Sequence, residues 1–430
     1  MMDVLRAVLG VLVFLVIAWM MSSDRRRIDW KLVAGGVLLQ LVLAVLFLKV
    51  SGPAAVIEWI AKGVVQLLAF SQEGGRFIFG SFVDNAESTG AVFAFRVLPS
   101  IIFFSAISTV LFYLGILPLV IRGFAWLMNK VMRLSGAESF AVAANVFVGQ
   151  TEAPLMVRPY ISNMTRSELC AMMTGGMATI AGGVMVAYIT FLGGDDGTQN
   201  VLFARHLITA SILSAPAAIV FSKLMVPEQD AYTREFNVSK EELGSNVFDA
   251  ATRGTAQGLQ LALIIAAILI VFTSFIPMIN AMLSWSIGGW TGLDAWIEQT
   301  SKGAHASLSL EWGFAWVFSP VAWLMGVHPS ELLNAGRLLG EKLVLNEFVA
   351  YLNMGQAMRE GVMQDPKSLV IMTYALCGFA NFASIGIQIA GISTLAPDRR
   401  ADLSWLAPRA LVGGTLACLM TGCLAGLFWA

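Results

Sequence analysis

The feature that most constrains this chain is the recurrence of apolar runs about as long as a lipid bilayer is thick. They lie near 4–21, 32–50, 92–118, 168–192, 205–222, 258–280, 368–395 and 410–429, and about 20 apolar helical residues cross a hydrocarbon core. Backbone amides and carbonyls inside lipid must be satisfied within the segment, which makes these runs helices. Only 13% of the 430 residues are charged and 57% are hydrophobic, against about 25% charged in an ordinary soluble domain. The net charge of −1 argues against nucleic acid as a partner. The bilayer is the principal solvent.

The first run is followed by Ser22-Ser23-Asp24-Arg25-Arg26-Arg27. A cleaved signal peptide carries its positive charge before the apolar run, so the run reads as a retained span ending in the cytoplasm. With that orientation the segments 22–31, 119–167, 223–256 and 396–409 are cytoplasmic and hold most of the arginines and lysines, while Asp195 and Asp196 fall in an outer loop. This is the positive-inside pattern, and it predicts a multi-pass protein of the cell inner membrane. Arg122 to Leu134 mixes Phe124, Trp126 and Leu127 with Arg122, Lys130 and Arg133, as a helix along the cytoplasmic interface would. Segments 53–71 and 282–300 could lie on the outer face in the same way, and 227–250 reads as a solvated connector.

Two stretches are too interrupted for simple spans. Residues 138–163 carry Asn145, Gly149, Gln150, Thr151, Glu152 and Pro154 in their middle; residues 311–352 carry Glu341, Lys342, Asn346 and Glu347. Apolar arms around a polar middle fit helical hairpins that enter the membrane part-way, where irregular backbone is tolerated beside a cavity. Each is followed by a related segment: Gly176-Met177-Ala178-Thr179-Ile180-Ala181-Gly182 and Gly378-Phe379-Ala380-Asn381-Phe382-Ala383-Ser384. The first hairpin enters from the cytoplasm and the second from outside, so the two units are inverted. The fold class expected is therefore an all-α polytopic membrane protein with about eight transmembrane helices, two re-entrant helical hairpins, interfacial helices and an inverted structural repeat.

Inverted repeats with broken helices are the plan of secondary transporters, which hold their solute at the repeat interface. The bland alternative is that the glycines and alanines only let helices pack closely. Glu152 and Glu347 bear on the choice, because a charge deep in a membrane costs at least about 2.5–3.5 kcal/mol and must be paired, hydrated or functional. Glu347 could pair with Lys342, and Glu152 with Arg158. Asn145, Gln150, Asn346 and Asn381 add donors and acceptors in the same layer, without a nucleophile–base pair. That array suits a neutral solute rich in hydroxyl and amide groups.

Three motifs together resemble the bacterial type of the concentrative nucleoside transporter family: Gly149-Gln150-Thr151-Glu152-Ala153-Pro154, Asn346-Glu347-Phe348-Val349-Ala350-Tyr351 and Cys377-Gly378-Phe379-Ala380-Asn381-Phe382-Ala383-Ser384-Ile385-Gly386. The resemblance runs from the first span to the last. It implies a homotrimer that imports nucleosides such as uridine, coupled to sodium, by alternating access; proton-coupled members leave a proton symporter as the alternative. It places Gln150, Thr151 and Glu152 at the base with Val184 and Phe379 packing nearby, and Glu347, Asn381 and Ser384 at the ribose hydroxyls. For the sodium ion it implies the Asn145 side chain, the Val148 and Ile180 carbonyls and the Thr179 hydroxyl, where relatives can carry serine in place of Thr179. No other cofactor is implied.

An intramembrane enzyme and a channel are the rivals. Ser384 and His328 lack the surroundings of hydrolase motifs, and Gly336 and Gly340 have the wrong spacing for a phosphate loop. The cysteines (Cys170, Cys377, Cys418, Cys423) and histidines (His206, His305, His328) show no metal-type spacing. Asn163 and Asn237 head chance glycosylation sequons on cytoplasmic segments. The chain divides into scaffold spans and interfacial helix (1–134), first hairpin with the fourth and fifth spans (135–226), connector, sixth span and outer segment (227–310), second hairpin with the broken seventh span (311–395) and a last span (396–430).

Overall fold

The computed structural model describes residues 2–84, 93–230, 246–300 and 307–429. His305, the Asn237 sequon and residues 231–245 of the connector lie outside them. The described residues form helices joined by short turns: α1 Met2–Met20, α2 Trp30–Leu48, α3 Ser51–Phe79, α4 Leu98–Tyr113 and α5 Ile116–Met132. Then come α6 Gly136–Asn145, the short α7 Ala153–Met156 and α8 Arg158–Ile161, α9 Arg166–Ala178, α10 Gly182–Gly193 and α11 Gly197–Met225. The rest are α12 Val247–Leu283, α13 Leu293–Thr300, α14 Leu310–Met325, α15 Leu332–Val344, α16 Glu347–Arg359, α17 Pro366–Leu376, α18 Phe382–Leu395 and α19 Arg400–Leu427.

One order of elements occurs twice: a hairpin, a helix broken in its middle and a long helix. The first set is α6 to α8, α9/α10 and α11; the second is α15/α16, α17/α18 and α19. These sets hold the buried centre, since α11 and α19 bury almost every residue of their inner halves while α12 buries only five of 37. Capping fixes where the first set starts. Ser135 and Glu138 form a reciprocal capping box at α6, and Thr165 and Glu168 another at α9.

Four segments expected on the cytoplasmic face meet at one end of the molecule. The Ser23 amide donates to the Met225 carbonyl at 2.9 Å, Thr165 donates to Glu228 at 3.0 Å, and Arg166 pairs with Asp402 at 2.7 Å. Arg122 to Leu134 falls largely within α5, whose buried face is Ile121, Ala125, Met128 and Met132.

The second hairpin differs from its expected limits. Residues 311–325 belong to a separate helix, α14, ended by Gly326 at φ +97°; His328 and Pro329 then open a new turn. The hairpin proper is α15/α16 and runs past Leu352 to Arg359. Glu341 and Lys342 lie inside its first arm, and only Leu345 and Asn346 make the tip. The segment 53–71 sits within a continuous helical stretch, Ser51–Phe82, whose length and composition suit a membrane span as well as an outer-face helix. Segment 282–300 continues α12 through a π-helical turn at Ser284–Gly288 before α13. Short interruptions in apolar sequence mark interfacial and spanning helices alike, which is why the pattern left them unresolved.

Candidate functional site

Both broken helices open at their middles, and the breaks touch. In the first, Thr179 and Ala181 are extended between α9 and α10. In the second, Cys377 is extended and Gly378 takes φ +142° before Asn381 caps α18. A Cβ on Gly378 would sit 2.8 Å from the Ala178 carbonyl oxygen, so only glycine lets the two breaks approach this closely. The Phe379 amide donates to the Thr179 carbonyl at 3.3 Å. The Cys418 thiol donates to the carbonyls of Cys377, at 2.9 Å, and Ala178, at 3.5 Å. Backbone groups freed by the breaks thus find partners across the repeat.

The hairpin tips close over these breaks. Gly149, at φ +117°, brings the first tip so near α10 that a Cβ there would lie 2.8 Å from that of Ala181, and the Gly182 amide donates to the Phe147 carbonyl at 3.0 Å. At the second tip Asn346 caps α16 by accepting from the Val349 amide at 3.0 Å. Glu347 follows at the first turn of α16, where the partial positive charge of a helix N-terminus favours a carboxylate. Lys342 does not form an ion pair with Glu347; its ammonium donates to the Ala375 carbonyl at 2.8 Å, in the last turn of α17. Asn353 donates to Glu341 at 2.9 Å, tying the hairpin's arms together.

One run of hydrogen bonds links the four elements. The Tyr188 hydroxyl donates to Glu347 Oε1 at 3.0 Å and Asn381 Nδ2 donates to Glu347 Oε2 at 2.8 Å. Asn381 Oδ1 accepts from the Ser384 amide at 2.9 Å, and the Ser384 hydroxyl accepts from Gln150 Nε2 at 3.1 Å. Gln388 Nε2 donates to both Gln150 Oε1 and the Met173 carbonyl, each at 3.0 Å. Glu347 is 2% exposed, yet an ionised carboxylate has about four acceptor sites, so two bonds leave room for hydroxyl donors.

These residues border a cavity of about 470 Å³, within the ~300–1,000 Å³ usual for small-molecule sites. Gln150, Thr151, Glu152, Val184, Glu347, Phe379, Asn381 and Ser384, the eight substrate positions singled out from the sequence, all line it. Glu152 is half-buried on that lining and has no ion pair among the described residues. Of the four ion-site residues, Val148 also lines the cavity. The other three sit behind it. Thr179 Oγ1 donates to the carbonyls of Asn145, at 3.0 Å, and Gly175, at 2.8 Å. Asn145 Oδ1 is buried and accepts no hydrogen bond. A buried oxygen without a donor is costly and fits a cation as its missing partner; a hard oxygen set of this kind suits an alkali ion. Among the described residues no group of histidine, cysteine or acidic side chains could hold a metal ion, and the four cysteines are buried and unpaired.

Two participants were not singled out from the sequence, Tyr188 and Gln388. Tyr188 stacks on Tyr351 with ring centres 4.5 Å apart. Within an apolar run a tyrosine reads as core; the signal was a phenol with no nearby polar partner in sequence. Gln388 was a lone amide in an apolar span and could have been flagged on the cost of burying it.

Three family models match the chain: "Na+ dependent nucleoside transporter N-terminus" over residues 9–82, "Nucleoside recognition" over 94–195 and "Na+ dependent nucleoside transporter C-terminus" over 206–426. An uncharacterized transporter of Haemophilus influenzae is 41% identical over 99% of this chain and 98% of its own length. Sodium/nucleoside cotransporter 1 of Rattus norvegicus is 39% identical over 98% of this chain, which spans 63% of that longer protein. The solved structure of CNTnw in an inward-facing substrate-bound state covers all of both chains at 38% identity and a TM-score of 0.89.

Proposed function

Because this chain belongs to the Na+-dependent nucleoside transporter family, we propose that it is a symporter importing nucleosides across the cell inner membrane, with sodium as the coupling ion, by alternating access. The observation that carries the reading is the hydrogen-bonded wall from Tyr188 through Glu347, Asn381 and Ser384 to Gln150 along a cavity of nucleoside size. Glu347, Asn381 and Ser384 bind the ribose hydroxyls, the anionic acceptor making the stronger bonds. Gln150, Thr151 and Glu152 hold the base, with Val184 and Phe379 packing on it.

The ion binds between the first hairpin tip and the first break, at Asn145, Val148, Thr179 and Ile180. By giving the Asn145 side-chain oxygen its partner it orders the tip, and the ordered tip completes the nucleoside site. The loaded hairpins and broken helices, inverted with respect to one another, then move against the remaining helices of a homotrimer and release inward. Such coupling requires the ion to favour one conformation over the other.

Uptake of radiolabelled uridine into proteoliposomes under an imposed sodium or proton gradient tests the reading. Saturable, sodium-driven uptake with counterflow in preloaded vesicles is expected. Uptake that follows external acidity and ignores sodium would replace the ion with the proton, and non-saturable flux without counterflow would make the protein a channel.

A further inference from the structure

Helix α12 lies outside both repeats yet forms part of the cavity wall. Its buried positions include Ala250, Gly254, Gly258 and Ala262, a small residue every fourth position. They pack on α4: a Cβ on Gly254 would lie 2.8 Å from the Ser105 carbonyl oxygen, and one on Gly258 the same distance from Ile102 Cα. This seam sets the rotation of α12. Positions 257, 260, 264 and 268 consequently face the cavity, and at one end of an otherwise aliphatic stripe stand Gln257 and Gln260, while α4 contributes Ser105. Both glutamines are exposed, and neither side chain hydrogen-bonds to another described residue. They stand where the helix enters its strongly apolar stretch, and beyond them the α12 side of the cavity is walled by Leu261, Ile264, Ile265, Ile268 and Leu269, so two amides there are the groups of this helix that can meet a polar guest.

We propose that Gln257 and Gln260 are specificity-determining residues that form a further polar wall of the site and hydrogen-bond the polar edge of the solute's base. The inference rests on the nucleoside reading above. A carboxamide offers a donor beside an acceptor, which matches a base edge where carbonyl and N–H groups alternate; the ribose has the carboxylate wall on the repeat side. Because α12 is anchored to α4 rather than to the hairpins, these contacts change as the loaded unit moves.

The test uses the full-length protein in proteoliposomes at saturating sodium. Uridine is compared with purine riboside, whose base lacks exocyclic polar groups. Q257L/Q260L removes both amides from a helix whose apolar character the change only increases. The expected result is a rise in KM for uridine of about 5- to 150-fold, two ordinary hydrogen bonds' worth, with less than about a threefold change for purine riboside and an unaltered sodium activation curve. Q257M and Q260M, nearly isosteric, show the same selectivity at smaller size. Equal shifts for both solutes, or none, overturn the assignment while leaving the nucleoside function standing. A wild-type protein that takes up no nucleoside overturns the function itself and this wall with it.

Discussion

At Glu347 the two carboxylate oxygens have different partners, a phenol from the first repeat and an amide from the second, so one side chain registers the position of both. Replacing it with glutamine keeps the shape but removes the charge. Glu347→Gln is expected to abolish saturable uridine uptake while the protein stays in the membrane, as is Asn381→Ala, which loses the carboxylate contact and the cap on α18 together. Normal uptake kinetics in both variants would remove these residues from the site. Tyr188→Phe preserves the stack on Tyr351 and deletes one bond to a charged acceptor, worth about 1.5–3 kcal/mol; a rise in uridine KM of roughly tenfold or more is expected from initial-rate assays. Glu347, Asn381 and Gln150 were legible in the sequence because polar residues stand out against lipid-facing runs. Tyr188 was not, because its partner lies 159 positions away and no local pattern announces a bond of that range.

The elements of the two repeats are joined by close backbone approaches and by buried charge. Lys223, near the end of α11, lies 2.7 Å from Glu138 in α6 with side-chain exposures of 6% and 1%. Lys223 also reaches Glu228 at 3.3 Å, which is 20% exposed, so losing Glu138 leaves the ammonium one partly hydrated partner and costs less than the about 3–5 kcal/mol of a fully stranded buried charge. Glu138→Gln, which keeps the capping box, should therefore lower the thermal midpoint in detergent, measured by the fraction surviving size exclusion after heating, and adding Lys223→Met to it should recover part of the loss. Gly378→Ala forces a Cβ against the Ala178 carbonyl at a φ that side chains rarely adopt. The backbone strain alone is worth about 1–3 kcal/mol, and the same assay should report it. The breaks themselves could be read from the chain, since small and polar residues interrupt two otherwise apolar spans in matching order. The limits of the second hairpin were harder to read: α14 and α15 are separated by the left-handed turn at Gly326 and the turn opened by His328 and Pro329, and a glycine and a proline in an apolar stretch mark a kink in one arm as readily as a boundary between two helices.

For the whole molecule the ion and the nucleoside are expected to act as one load. Replacing sodium with choline should raise the apparent KM for uridine, and uridine at about 100 times its Kd should add roughly 2.7 kcal/mol of stability in sodium but much less in choline. Equal protection in both salts would uncouple the two guests. The long-range architecture was legible because span lengths are dictated by the bilayer and the repeat is written twice. The cavity face of α12 was not, because a helix carrying glutamines and glycines in lipid does not reveal which face they take. A single backbone bond, from the Phe379 amide to the Thr179 carbonyl, runs between a residue proposed to pack on the base and one proposed to hold the ion. A variant bred for a new cargo by reshaping Phe379 will thus carry an altered salt requirement as an inherited companion trait, and a screen for either property selects on both.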